Sequence, residues 1–129
     1  MEIEDFAYLV KTEKTFDEAV ISVLREIELK GWTIFNVYDL KERLAAKGFQ
    51  QEPLKIIEIC SGKYANLFLN KSKLVSLCLP CKINVFKDNE SVYIAGIMPS
   101  VMSEFFKEIK KDETEEVEKI IKEVIDNSK

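Results

Sequence analysis

The apolar positions of the chain change period several times, and each change predicts an element. Phe16, Ala19, Val20, Val23, Leu24 and Ile27 recur every three or four residues and predict one amphipathic helix over about 16–30. Thr15-Phe16-Asp17-Glu18 has the form of a capping box, in which the Thr15 hydroxyl and the Glu18 carboxylate each satisfy a free N–H at the helix start. Gly31 suits the left-handed residue that closes a helix. On either side, Phe6–Lys11 and Trp32–Tyr38 are short runs of apolar, aromatic and β-branched residues that predict strands.

Further along, Asp39 is placed to cap a short helix over Leu40–Lys47, ended by Gly48. Leu54–Cys60 predicts a strand entered through Pro53, and Lys63–Leu69 a short helix. Lys73–Pro80 carries a nearly unbroken apolar run, the pattern of a strand covered on both faces, and so predicts a central strand. Ile83–Lys87 and Ser91–Met98 flank Asp88-Asn89-Glu90, residues tolerant of positive φ, and predict a hairpin. Two helices are expected after Pro99. One places Met102, Phe105, Phe106 and Ile109 on a face; the other places Val117, Ile120, Ile121, Val124 and Ile125. The acidic run Asp112–Glu118 stands at the start of the second, where carboxylates favour the helix dipole. A helical stripe of this width reads as a core or dimer face.

Composition narrows the class. The 129 residues are 47% apolar, enough for one domain, 1–129, to bury a core without disulfide or metal staples. The balance of 19 basic and 23 acidic residues gives a net charge of −4, which offers no general attraction to nucleic acid or an anionic membrane. Neither is expected as a partner. No run approaches the ~18–20 apolar residues of a membrane span, and the acidic start Met1-Glu2-Ile3-Glu4-Asp5 is unlike a signal peptide. The protein is accordingly expected to be cytoplasmic, with three thiols in a reducing compartment. There is no histidine, which removes Ser-His-Asp and Cys-His catalysis and His-ligated metals within one chain.

Three segments in order are similar to one known family. They are Thr15-Phe16-Asp17-Glu18-Ala19-Val20 with Gly31-Trp32 and Val37-Tyr38-Asp39-Leu40; Lys55–Ala65, a strand ending in a cysteine; and Leu79-Pro80-Cys81-Lys82-Ile83-Asn84-Val85. Together they resemble the domain-of-unknown-function family 302 over about residues 15–100. Ser61-Gly62 and Lys82 depart from the family's usual Asn-Pro and Asn. The resemblance implies an α+β fold with an antiparallel sheet; with the elements read above, about five to six strands are expected, packed by helices in the order β-α-β-α-β-α-β-β-β-α-α. It implies a homodimer, with the helices of about 100–128 as a candidate dimer face, and no agreed activity.

The candidate chemistry centres on Cys60, Cys78 and Cys81. Cys78-Leu79-Pro80-Cys81 is a C-x-x-C, but its flanks read as strands, whereas a thioredoxin-type motif opens a helix. Zinc in a closed site needs four ligands, and the chain offers three cysteines and no histidine, so neither a metal nor another cofactor is expected. Cys78, within the apolar run, reads as a small buried hydrophobe. Cys60 and Cys81 each stand at a strand end, and they share a rim if those strands are neighbours. Lys63, in the first turn after Cys60, would then favour a thiolate or a bound anion. Residues 41–90 hold nine basic and five acidic groups, which supports a modest positive patch there, although solvated surface lysines explain the same count.

No complete catalytic motif is present, no carboxylate pair stands out for acid/base work, and Ser61-Gly62-Lys63 lacks the glycines of a phosphate loop. The sequence therefore does not decide whether the protein is an enzyme. It favours a dimeric small-ligand or protein-binding module. The alternative is a thiol-dependent redox, sulfur-transfer or metal-handling protein that uses Cys60 and Cys81 with Lys63.

Overall fold

A computed structural model describes residues 2–129. Five strands, β1 (Ala7–Thr12), β2 (Thr33–Asp39), β3 (Leu54–Cys60), β4 (Cys81–Asp88) and β5 (Ser91–Ile97), form one antiparallel sheet in the order β1-β5-β4-β3-β2. The helices are α1 (Phe16–Leu29), α2 (Leu40–Ala45), α3 (Gly62–Lys71), α4 (Met102–Phe105) and α5 (Glu115–Ser128). The fold is α+β. No helix among the described residues is long and apolar enough to cross a membrane.

The local signals act as their chemistry requires. Thr15 Oγ1 accepts from the Glu18 N–H while the Glu18 carboxylate accepts from the Thr15 N–H, so both halves of the capping box at α1 are made. Gly31 and Gly48 follow α1 and α2 at φ +74° and +90°, in the region where a Cβ is costly. Asp39 Oδ1 accepts from the Glu42 N–H and caps α2. Asn89, at φ 55°, makes the tight turn between β4 and β5.

Alternation along the strands divides the sheet into two unlike faces. Ile57, Ile59, Ile83, Val85, Val92 and Ile94 are buried on one face, where α1 packs through Ala19, Val20, Val23 and Ile27. There α5 packs through Val117, Ile121, Val124 and Ile125, and α1 and α5 also touch each other. Lys14 fixes the end of that layer, since its ammonium donates to Ser22 Oγ and to the Ser128 carbonyl, a cation set at the C-terminus of α5. Gly96 lets α5 sit close to β5: a Cβ there would lie 3.0 Å from Ile125 Cδ1 and 3.2 Å from Ile121 Cγ2.

On the opposite face no side chain is fully buried. One row across it, set by the strand register, runs Leu9, Ala95, Asn84, Ile56, Tyr38; a second runs Lys11, Tyr93, Phe86, Leu54. Beyond these, Ala7 pairs with Ile97 on one side, and Lys82, Glu58 and Asn36 form a row on the other. Leu9 and Ile97 are each 43% exposed, and Phe86 stacks on Tyr93 with centroids 5.3 Å apart. The sheet's outer strand β2 changes register between Ile34 and Asn36, which leaves Phe35 outside the pairing.

Two expectations are corrected. Lys73–Pro80 is not a central strand: Lys73–Leu77 is a 3-10 turn, and the centre belongs to β4. The Ser72 hydroxyl accepts from the Leu74 N–H, its carbonyl accepts from the Val75 N–H, and Val75 in turn accepts from Cys78, so local bonds satisfy a backbone that the apolar run alone would have sent to a ladder. Only Val75 of this run is buried, while Leu74 and Leu77 are 65% and 82% exposed. The helix expected to carry Met102 through Ile109 is a single turn, α4. The chain is extended at Phe106, and a new 3-10 turn over Lys111–Thr114 starts with its own bond from the Lys110 N–H to Glu113. That break buries Met102 and Ile109 and leaves Phe105 in solvent. Glu113 is also ion-paired with Lys71, which ties the turn to the end of α3.

Gly96→Val puts two further methyl groups against Ile121 and Ile125 and is expected to destabilise the fold by about 1–3 kcal/mol. Gly96→Ala, which adds a single methyl at these distances, should cost less. Urea unfolding of both variants checks the order.

Candidate functional site

Cys60 ends β3 and Cys81 begins β4; Ile59 and Cys81 are register partners, so the two thiols stand at one end of the sheet. Between Cys78, at the end of the 3-10 turn, and Cys81 the chain passes through a cis Leu79–Pro80 bond. No helix opens at this C-x-x-C. Cys60 and Cys81 both line a crevice of about 20 Å³ with Trp32, Tyr64, Phe68 and Met102, room for about one water. Lys63 does not line this crevice: it is exposed at the start of α3, with its ammonium 5.2 Å from the ring centroid of Tyr64, which does.

The surroundings keep these thiols protonated. Burial raises the Cys60 pKa, and it pushes Cys81 from an ordinary 9.0 up to about 11, with Cys60 and then Cys78 adding to the rise and Lys82 opposing it. A nucleophilic cysteine is favoured by the opposite shift. Tyr64, on the same wall, is likewise raised to about 12 by burial and then by the Glu116 carboxylate. Among the described residues no group of three Cys, Asp or Glu side chains is arranged to hold a metal ion.

A larger crevice adjoins the first. It encloses about 380 Å³, shares Pro80, Cys81 and Met102 with the small one, and opens onto the end of the half-exposed sheet face. Its walls are mainly apolar, from Leu77, Ile97, Met98, Val101 and Phe105, and its polar side chains are Lys82, Asn84 and the thiols of Cys78 and Cys81. The size and the ratio of apolar wall to polar groups are those of a small-molecule site. Two wider clefts are polar and of mixed charge. One, of about 830 Å³ beside β1, sets Glu4, Asp5, Glu104 and Glu118 against Lys111 and Lys122. The other, of about 630 Å³ at the start of α1, matches four lysines with four carboxylates.

Leu77, Asn84, Ile97 and Phe105 did not stand out in the sequence. Leu77 and Phe105 sat inside runs that resembled core elements, and Asn84 occupied the polar phase of a correctly placed hairpin strand. The alternation of β4 could have assigned Asn84 to the face opposite Ile83 and Val85. The neighbours that meet it there depend on strand order, which the alternation does not carry.

The chain matches a family model described as "Domain of unknown function DUF302" over residues 8–128. It is also similar to the crystal structure of an uncharacterized conserved DUF302 protein from Bacillus stearothermophilus, with a TM-score of 0.88 and 23% identity over 96% of this chain and 98% of that one. At that identity the likeness establishes the fold. No curated protein matches the chain.

Because thiolate fraction falls by about a hundredfold for two pKa units while nucleophilicity rises by about tenfold, Cys81 is expected to alkylate about tenfold more slowly than an unstructured thiol at pH 7.5. Peptide mass spectrometry after timed iodoacetamide exposure measures this. The raised folded-state pKa also means that stability is fully present below about 9 and is lost as pH rises through about 11, since the unfolded chain gives up this proton first. Denaturant midpoints across that range should fall in the parent and fall less in Cys81→Ala.

Proposed function

The chain belongs to the family described as domain of unknown function DUF302, and from that footing we propose that it is a binding module for a small ligand, acting as a homodimer in the cytoplasm. The observation that carries the reading is the 380 Å³ crevice, in which exposed Leu77 and Phe105 face Ile97 and Met98 around a few polar groups. Side chains this apolar gain little where they stand, and they gain about 25 cal/mol for each Å² that a ligand takes out of water.

The open sheet face supports the dimer. Leu9, Ile97, Ile56 and the Phe86–Tyr93 stack form an apolar field without full cover, while the apolar side of α5 is already used within the chain. The uncovered sheet supports a dimer face there over one on the helices of 100–128, whose apolar side chains are largely used within the chain. Three free cysteines fit a reducing compartment. A thiol-dependent activity of Cys60 and Cys81 is the second reading, favoured by their common crevice and opposed by their raised pKa values and by the absence of Lys63 from the crevice lining.

The apolar fluorescent anion 8-anilinonaphthalene-1-sulfonate should bind the natively folded protein saturably, at one site per chain. Leu77→Gln with Phe105→Gln, both at exposed positions and so of small effect on stability, should abolish that binding. Unaltered dye binding in the double variant defeats the ligand site. For the dimer, light scattering at micromolar concentration should give about twice the 14.9 kDa chain mass, reduced to one chain by Leu9→Lys. A monomeric parent defeats it.

A further inference from the structure

The ligand crevice and the open face of the sheet share side chains. Ala7, Lys82, Asn84, Ala95 and Ile97 belong to that face, and all five line the crevice of about 380 Å³. A copy of the chain seated on the face therefore stands over the crevice. Two packed sheets lie about 10 Å apart, a gap that side chains from both must fill. Leu54, Ile56, Phe86 and Tyr93 fill it over most of the face, whereas Ala7, Ala95 and Gly96 leave the crevice end nearly bare. An opposing sheet leaves a void there, and apolar atoms facing a void lose their contacts. A ligand in the crevice restores them.

Area points the same way. The face is five strands wide, and β2, β3 and β5 are each 7 residues long. Strand spacing and rise make that about 24 by 24 Å, on the order of 600 Å² for one copy and 1,200 Å² for two, the lower limit of a specific interface. A void at one end subtracts from it, and a ligand filling the void adds to it.

Charge favours a second copy as the occupant and sets its direction. Glu58 and Lys82 are register partners on the face, yet neither takes part in an ion pair among the described residues. Glu58 stands beside the Tyr38 phenol, a neutral donor that leaves its charge in place. Lys11 on the outer strand β1 and Asp88 at the end of β4 lie at the rim. One cation beside one anion makes the face complementary to itself. A two-fold axis in the interface and along the strands keeps the charged ends of both copies together, with Lys82 of each close to Glu58 of the partner subunit. An axis across the strands turns these charges onto the end that carries Leu54, Phe86 and Tyr93, where they have no counter-charge.

We propose that a second copy of the chain closes the crevice, the two open faces meeting about an axis along the strands, so that an apolar ligand is held at the interface and its binding strengthens the dimer. The inference rests on the reading of the chain as a dimeric binding module and adds that the two properties are one coupled event. By linkage, the ligand tightens the dimer by the factor by which dimerisation tightens the ligand.

The test is sedimentation of the full chain over a wide range of concentration, with and without 8-anilinonaphthalene-1-sulfonate. Saturating dye should tighten self-association at least about fivefold, and dilute monomer should bind the dye more weakly by the same factor. Lys82→Glu and Glu58→Lys should each weaken self-association at least about tenfold, and the two variants mixed in equal amounts should recover a dimer of the parent's strength. If Glu58→Lys does not fold, Glu58→Gln gives a second measure, since it should remove the salt dependence of the parent's association. A dimer indifferent to both charge variants and to the dye, or one that the dye dissociates, overturns the proposal and leaves the dimer reading standing. Dye bound equally by monomer and dimer also overturns it and leaves the ligand site standing. A parent that stays monomeric with and without dye removes the dimer reading and this inference together.

Discussion

The seat of α5 on β5 at Gly96 sets the arrangement of everything around it. With no side chain at that position, Ile121 and Ile125 reach the sheet itself, and the helix that carries them lies close enough to meet α1 through the same apolar layer. Both long helices are thereby drawn to one face. Their packing buries the isoleucines and valines of β3, β4 and β5, which supply the main hydrophobic stabilisation. The other face keeps its apolar side chains in partial contact with water. The crevice opens at the end of that half-exposed face, beside segments of little regular structure.

Those segments mark the limit of what could be read from the residues. Helix α1 was legible because its signals agree: a capping box at Thr15 and Glu18, a regular stripe, and a glycine that ends it. Strand β3 and the hairpin around Asn89 were legible for the same reason, since turn chemistry and alternation specify the same structure. The run Lys73–Pro80 misled because an unbroken apolar stretch is compatible with a strand and with a tight helical turn, and Ser72 resolved it through short-range bonds to its own neighbours. Phe105 misled because helical spacing across Met102–Ile109 could not reveal that Lys110 and Glu113 begin a new turn. In both cases exposure of a large apolar side chain is the result, and Leu77 and Phe105 both line the crevice.

The thiols illustrate a different limit. That Cys60 and Cys81 stand at strand ends was readable, and the pairing of β3 with β4 brings them to one small cavity. Their protonation is set by burial, which a linear pattern does not report. Desolvation raises both, so the environment that gathers them also disfavours their thiolates. Lys63, which proximity in sequence would assign to the same chemistry, leaves with the first turn of α3 and lies against Tyr64.

The irregularity at Phe35 bears on how copies of this chain can associate. An outer strand with an unbroken row of free N–H and C=O groups invites another strand to join it, and repetition of that step builds an open-ended ribbon. The slip between Ile34 and Asn36 interrupts the row and turns the outer strand away from a straight partner. Growth by edge addition at β2 is discouraged without any loss of the broad face. A contact through that face, as in the dimer proposed above, would close upon itself with two-fold symmetry and leave no open end for a further copy.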